Sequence, residues 1–285
     1  MLKFFLFVLP ALGAILLSVE IPFVMSIAYS FTKWNGLDRV PEFIGMENYR
    51  ELFFDDPAMM NALSFTFRQA VLAVALINII AMLLAVFLDS EIRGKNALRA
   101  AFYVPNIVSL IVIGYIWRFI FTRGFDSFYE SVKLPFLMYS WIGDAKFAFV
   151  SVLIVSVWQS IGFYMVIYIA GLQVIPRDLI EAAMIDGAGQ ISRFFKITIP
   201  LLMPSITVAV FYSISNSLKT FDVIFSLTNG GPGTSTTPIA LDIYKTAFVT
   251  SRFGYGTAKS VVLFVLILLI TFFQVRFFKK REVEA

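Results

Sequence analysis

Six long apolar runs constrain the fold of this chain more than any other feature of its sequence. Each run supplies about the 20 residues that a helix needs to cross roughly 30 Å of hydrocarbon. We therefore predict an all-α integral membrane protein, with residues 1–285 as one transmembrane domain and no internal domain boundary. The predicted transmembrane helices cover residues 4–31, 65–88, 102–121, 147–172, 201–225 and 258–278.

The first run has an alternative interpretation as a cleaved signal peptide. Lys3 precedes it, and the small residues Ala11, Gly13 and Ala14 lie within it. The apolar stretch continues well past these small residues, which favours an uncleaved transmembrane helix.

Composition excludes several kinds of functional site. Charged residues make up 15% of the chain, whereas a soluble domain carries about 25%. The sequence has no cysteine and no histidine, which excludes disulfides and thiolate metal ligands and removes the commonest general base. The nucleotide-binding pattern G-x-x-x-x-G-K-[S/T] does not occur either. We therefore expect a membrane protein that is not an enzyme and that binds no metal, cofactor or nucleic acid itself.

Lysine and arginine residues predict the orientation in the membrane. If the amino terminus is cytoplasmic, short inner segments carry more basic residues than the much longer outer loops, as cytoplasmic loops usually do. We therefore predict that both termini and the loop of residues 173–200 are cytoplasmic. The residues assigned to the inner side are Lys3, Arg93, Lys95, Arg99, Arg177, Arg193, Lys196, Arg276, Lys279, Lys280 and Arg281.

The loop between the fourth and fifth runs is polar and contains a predicted short helix. Asp178 is a candidate N-cap, and Ala182 and Ala183 have high helix propensity. Gly187 is predicted to end the helix in a conformation that a β-carbon would disfavour. Pro200 suits the first turn of the next helix, where its missing N–H leaves no extra unpaired donor.

The spacing of this loop resembles the EAA loop of ABC importer permeases, E-A-A, three residues, G, nine residues, I-x-L-P. Glu181, Ala182, Ala183, Gly187 and Ile197 fit it, and Ile199 replaces Leu before Pro200. The resemblance implies a type I ABC importer permease fold, six transmembrane helices and a cytoplasmic coupling helix. It also implies that Glu181, Ala182, Ala183, Asp186 and Gly187 contact the ATPase that drives transport.

Three further segments resemble the carbohydrate-uptake branch of that family, and specifically the F-type subunits of maltose and glycerol-phosphate permeases. They are F-x-G-x-x-N-Y at residues 43–49 followed by Asp56-Pro57, L-T-x-G-G-P at residues 227–232, and Y-x-x-A-F at residues 244–248. The implied partners are a second homologous permease subunit, two ATPase subunits that use ATP and Mg²⁺, an extracytoplasmic sugar-binding protein and membrane lipid. The implied location is a bacterial or archaeal cell membrane.

The sequence also allows an alternative function, that of an ion-coupled secondary transporter for a small polar solute. Such folds usually show internal repeats and carboxylates near the membrane midplane. Only Glu20 and Asp222 are candidates for such carboxylates here.

Two polar clusters are the candidate sugar-binding residues, because aromatic faces and hydrogen-bonding groups between helices are typical of such sites. The resemblance to the maltose permease assigns sugar contacts to the same positions. The alternative is that these groups stabilise helix packing. The candidates are Trp158, Gln159, Ser160 and Phe163 in the fourth run and Ser213, Asn216, Ser217 and Thr220 on one predicted helical face of the fifth.

A few other intramembrane polar residues carry weaker predictions. Asn106 is a lesser candidate for sugar binding. Lys219 and Asp222 could pair on one helix face, either structurally or at the mouth of a cavity. Lys259 is predicted to extend toward the membrane interface.

Overall fold

The structure is a computed structural model that describes residues 2–90 and 92–280, without the side chains of residues 2–7 and 177. Arg281, which the orientation prediction uses, lies outside the described residues. The described part of the chain is mostly helical, with two short paired strands. The helices are α1 (Leu2–Ile15), α2 (Ile21–Tyr29), α3 (Glu47–Phe54), α4 (Pro57–Asp89), α5 (Lys95–Ile107), α6 (Leu110–Phe119), α7 (Phe125–Val132), α8 (Ala145–Val174), α9 (Arg177–Ile185), α10 (Gln190–Arg193), α11 (Ile199–Leu201), α12 (Met203–Leu218), α13 (Asp222–Leu227), α14 (Ile239–Tyr244) and α15 (Phe253–Lys279).

Shorter elements connect some of these helices. The strands β1 (Thr32–Lys33) and β2 (Glu42–Phe43) are antiparallel, and Thr32 pairs with Phe43. A 3₁₀ turn covers Pro135–Met138. Single π-helical turns cover Leu16–Glu20, Ile120–Gly124, Phe194–Thr198 and Lys245–Val249.

Four of the described helical stretches are long and apolar enough to cross a membrane, namely Val8–Tyr29, Pro57–Asp89, Ala145–Val174 and Phe253–Lys279. Two bent pairs bring the number to six if each pair counts as one span. These stretches confirm the predicted all-α membrane fold.

The third and fifth spans were predicted as continuous helices, but both are bent in the structure. Between α5 and α6, Val108 and Ser109 adopt extended backbone conformations, and the chain turns by 97°. At Leu202 the chain turns by 71°, so the helix is broken one residue after the predicted start of the fifth span at Leu201. Pro204 cannot donate a backbone hydrogen bond to the preceding turn, which removes one of the bonds that would keep the helix straight.

The described chain forms two compact units, whose boundaries fall within α4, just before α14 and within α15. The first comprises residues 2–60 and 239–266, and the second comprises the described residues of 61–238 and 267–280. In the first unit, the buried Asn48 side chain donates hydrogen bonds of 2.9 Å to the carbonyl oxygens of Ser30 and Thr32. The asparagine of the F-x-G-x-x-N-Y segment therefore joins α3 to the loop after α2.

The second unit has a core between α4, α8 and α12. Ala73, Ala81 and Ala85 are fully buried on α4, and their small side chains allow close helix packing. Gly162 lets α8 approach α5, because a β-carbon there would overlap the carbonyl oxygen of Phe102. Small residues on facing helices thus hold the elements that surround the site described next.

Candidate functional site

A cavity of about 350 Å³ lies within the second unit. Its walls come from α4, α5, α6, α8, α12 and the start of α13. Asn216 and Lys219 are exposed, so the cavity is open rather than sealed. The lining residues are Gln69, Ile77, Asn106, Leu110, Ser156, Gln159, Ser160, Phe163, Tyr164, Asn216, Ser217, Lys219, Thr220, Phe221, Asp222 and Val223.

The structure brings together six of the eight residues that were candidates for sugar binding. The lining includes Gln159, Ser160, Phe163, Asn216, Ser217 and Thr220. Asn106, the weaker candidate, also lines the cavity. Amide and hydroxyl groups from different helices therefore face one space, together with the aromatic rings of Phe163 and Tyr164.

Several of these polar groups are already ordered by hydrogen bonds within the cavity wall. The Ser160 hydroxyl donates to Gln159 Oε1 at 2.9 Å. The Thr220 hydroxyl donates to the Ser217 carbonyl at 3.0 Å. Such bonds limit the rotamers of groups that would bind a ligand, which reduces the entropy lost on binding.

Trp158 and Ser213 lie away from the cavity. The Trp158 ring packs edge-on against Trp117, with 5.5 Å between ring centroids. Ser213 is fully buried and accepts a 2.9 Å hydrogen bond from Asn78 Nδ2. The Oδ1 atom of the same Asn78 accepts a 2.6 Å hydrogen bond from the Tyr168 hydroxyl. The position of Ser213 fits a role in packing α12 against α4 and α8.

The predicted polar face of the fifth span is interrupted where it reaches the cavity. α12 ends at Leu218, and a new helix begins at Asp222, so Thr220 lies beyond the helix that carries Asn216 and Ser217. Lys219 and Asp222 both line the cavity. No ion pair joins these two residues in the described part of the chain, so the predicted pairing on one helix face is wrong.

Three further polar residues on the wall were not among the sequence-based candidates. Gln69 is 1% exposed, Tyr164 is 3% exposed, and Ser156 Oγ is buried without a hydrogen-bond partner among the described residues. A sequence signal existed for Gln69, because an amide within an apolar run needs a polar partner or water. Nothing in the sequence distinguished Ser156 from other small polar residues on α8.

The predicted coupling segment is a short helix, α9, with an ordered C-terminal end. The Gly187 N–H bonds to the Met184 carbonyl at 3.1 Å and the Ala188 N–H bonds to the Ala183 carbonyl at 2.9 Å. Gly187 has φ +78°, and this combination is a Schellman motif. The predicted helix end at Gly187 is therefore confirmed.

The beginning of α9 differs from the prediction. Pro176 occupies the cap position, and the helix starts at Arg177, so Asp178 lies in the first turn instead of capping it. A carboxylate in the first turn still interacts favourably with the helix dipole. Glu181, Ala182, Asp186 and Gly187 are exposed and Ala183 is half-buried.

Large apolar side chains are also exposed around α9. The exposed fractions are 87% for Ile185, 77% for Ile191 and 62% for Phe195. A groove of about 480 Å³ beside them is lined by residues that include Ile180 and Phe194. Contiguous exposed apolar residues commonly mark a protein–protein contact surface.

The first unit contains a buried ion cluster that the sequence did not indicate. Lys259 is 2% exposed, and its Nζ lies 2.8 Å from Asp56 Oδ2 and 2.6 Å from Asp242 Oδ2. The Thr246 hydroxyl accepts a further bond at 3.2 Å. The prediction that Lys259 extends toward the membrane interface is wrong, because its charge is paired internally.

Asp56 is the junction of this cluster. It accepts a 2.7 Å hydrogen bond from the Tyr255 hydroxyl and a 3.0 Å bond from the Met59 N–H at the start of α4. Burial raises the pKa of Asp56, but the bonds from Lys259, Tyr255 and Met59 outweigh burial and hold that pKa below its ordinary value. Within the described residues, no group of three or more Asp or Glu side chains is arranged to hold a metal ion.

Residues 78–283 match the family described as binding-protein-dependent transport system inner membrane component. The chain is 41% identical to AmyD of Thermoanaerobacterium thermosulfurigenes, named as a probable starch degradation products transport permease, over 99% of this chain and 95% of that protein. It is 34% identical to MalF of Thermococcus litoralis, a trehalose/maltose transport permease, over 94% and 90% of the two chains.

A solved structure supports the fold. The chain is similar to one chain of a bacterial ABC transporter that imports the acidic polysaccharide alginate, with a TM-score of 0.84, 19% identity and coverage of 98% of this chain and 95% of that one. At this identity the likeness concerns the fold alone, which is that of a type I ABC importer permease.

Proposed function

We propose that the transported sugar passes through the cavity of the second unit. The chain belongs to the family of binding-protein-dependent transport system inner membrane components. The chain is a permease subunit of a sugar ABC importer. The observation that carries the proposal is the lining of the cavity, where amides and hydroxyls from α4, α5, α8 and α12 surround a space beside aromatic rings. Sugars are bound by this combination of groups.

The substrate class that fits best is a neutral oligosaccharide derived from starch. Support comes from the relative that is named for starch degradation products and from the mostly uncharged lining. Lys219 and Asp222 are the two charged residues of the lining, and they have opposite charges. An anionic sugar would gain from Lys219 but would be repelled by Asp222.

The energy for transport comes from partner subunits in this proposal. A second homologous permease subunit would complete the pathway, two ATPase subunits would use ATP and Mg²⁺, and an extracytoplasmic binding protein would deliver sugar. Residues Glu181, Ala182, Ala183, Asp186 and Gly187, with the exposed apolar side chains around α9, would form the contact with an ATPase subunit. This chain would then have no ATPase site of its own.

The protein is an inner membrane component with several apolar helices. We further propose that both termini and α9 face the cytoplasm of a bacterial or archaeal cell, as the distribution of basic residues indicates. The ion cluster of Lys259 would then lie near the outer face.

The test is uptake of radiolabelled maltotriose into proteoliposomes. The complete complex with its binding protein should accumulate the sugar only when ATP is supplied to the ATPase side. This chain alone, with an imposed proton or sodium gradient, should accumulate no more sugar than empty vesicles. Gradient-driven uptake by the chain alone would instead support the ion-coupled transporter.

A further inference from the structure

Gln69 is a buried amide that faces the cavity without a partner. Its exposed fraction is 1%, and it lines the cavity from α4. Its side chain forms no hydrogen bond with any other residue that the structure describes. Buried polar groups nearly always have a hydrogen-bond partner, so the amide of Gln69 requires an explanation.

Other buried amides of the second unit differ from Gln69 in this respect. Asn78 bonds through both its nitrogen and its oxygen. Gln159 accepts a bond from Ser160, and Gln274 Nε2 donates to the Thr207 carbonyl at 3.4 Å. Each of these amides forms at least one hydrogen bond, although Gln274 Oε1 has no partner among the described residues. Gln69 forms none within the described part of the chain, and it lies where the wall of the unit meets the open cavity.

The surroundings of Gln69 do not supply a structural role for the amide. Among the neighbouring buried positions on α4, Phe65 and Ala73 are apolar and Thr66 is polar. A leucine or methionine would fill the same volume without leaving a polar group unpaired. Ser156 Oγ is a second unpaired polar atom in the lining, on the facing helix α8.

We propose that Gln69 binds the transported sugar directly. The amide N–H₂ donates to one sugar hydroxyl and the amide carbonyl accepts from an adjacent one, which is the bidentate pattern that a neutral vicinal diol offers. This assignment rests on the proposed passage of sugar through the cavity. It adds α4 to the sugar-binding surface, for which the sequence analysis named candidates in the third, fourth and fifth spans only.

The first test compares Gln69→Met with Gln274→Met in the reconstituted complex, with maltotriose as the probe. Methionine has a similar volume but cannot form the two hydrogen bonds. Gln69→Met should reduce the uptake rate roughly three- to tenfold at limiting sugar, the effect of one or two lost hydrogen bonds. Gln274→Met removes a buried amide elsewhere in the same unit and should leave uptake per assembled complex within about twofold.

Equal effects of the two variants would overturn the assignment, because a general loss of packing would then explain both. Basal ATP hydrolysis by the complex, without binding protein, separates assembly from sugar binding. It should be unchanged in Gln69→Met.

The second test uses the absence of cysteine from the sequence. In Gln69→Cys, a small methanethiosulfonate reagent should label the thiol, and saturating maltotriose with binding protein should slow labelling at least fivefold. Ala73→Cys lies one turn further along α4, is fully buried and does not line the cavity, so it should not be labelled. Asn216→Cys, on the part of the lining that α12 contributes, reports sugar in the cavity independently.

Protection of Asn216→Cys without protection of Gln69→Cys would refute the role of Gln69 and leave the proposed pathway intact, with Gln69 bonded only to water. If neither thiol is protected while the complex still transports maltotriose, the sugar does not pass through this cavity. The assignment of Gln69 and the proposed pathway would then both be wrong.

Discussion

Replacing Lys259 by methionine should strongly destabilise the first unit. Methionine keeps the length of the apolar part of the side chain but removes the charge that lies 2.8 Å from Asp56 and 2.6 Å from Asp242. The side chains of these aspartates are only 12% and 13% exposed, so water cannot replace the lysine easily. Removing one partner of a buried ion pair costs about 3–5 kcal/mol, a large part of the roughly 5–15 kcal/mol that stabilises a typical protein.

The assay is thermal unfolding of the purified complex in detergent at two pH values. At neutral pH, we expect the melting midpoint of Lys259→Met to fall by roughly 6–20 °C, if about 2–4 °C corresponds to each kcal/mol. Without the lysine, the burial that raises the pKa of Asp56 loses one of the contacts that oppose it. The penalty should therefore be greatest at high pH and should shrink as acid protonates Asp56.

A double variant provides the matched control. Lys259→Met combined with Asp242→Asn leaves only Asp56 charged, and Tyr255 and the Met59 N–H still bond to that carboxylate. The double variant should therefore melt above Lys259→Met alone. The reasoning is refuted if Lys259→Met melts like the wild type, or if its deficit is the same at pH 5 and pH 8.

Three other predictions concern separate parts of the chain. Gly187→Asp should abolish sugar uptake while the complex remains in the membrane. The open surroundings of Gly187 leave room for the aspartate side chain, but φ +78° at this position strains the backbone of any residue other than glycine. The carboxylate would also project from the proposed ATPase contact. Normal uptake by this variant would contradict that contact. Asn216→Ala should reduce uptake about two- to tenfold without changing basal ATP hydrolysis, because it removes one hydrogen-bonding group from the lining; a variant that assembles poorly and transports normally once stabilised would indicate a packing role. The lowered pKa of Asp56 gives a stabilising contribution that is complete above the unfolded pKa of about 3.9 and is lost as pH falls through the folded pKa. The melting midpoint of the wild type should thus decline more steeply than that of Asp56→Asn below about pH 4, and parallel curves would exclude the linkage.

Features that depend on neighbouring residues were predictable from the sequence. The length of the apolar runs determined the membrane class, since a helix must supply about 20 apolar residues to cross the bilayer. Gly187 was predicted to end the coupling helix because the left-handed conformation after a helix favours glycine. The spacing from Glu181 to Pro200 then indicated the family, which the matching relatives confirm.

Other features depended on contacts between distant segments. The bend at Leu202 and the break after Leu218 could not be predicted, because the apolar runs that contain them are equally compatible with straight helices. Lys259 could not be assigned, because a lysine near the end of a run reaches the interface unless carboxylates from other segments surround it. For the same reason the sequence identified polar residues within the spans but not which of them line the same cavity. Ser213 accepts a hydrogen bond from Asn78 in a packed interface, whereas Gln69 lines the open cavity. The periodicity of a helix determines which residues share a face, and only the tertiary packing of several helices decides what that face contacts.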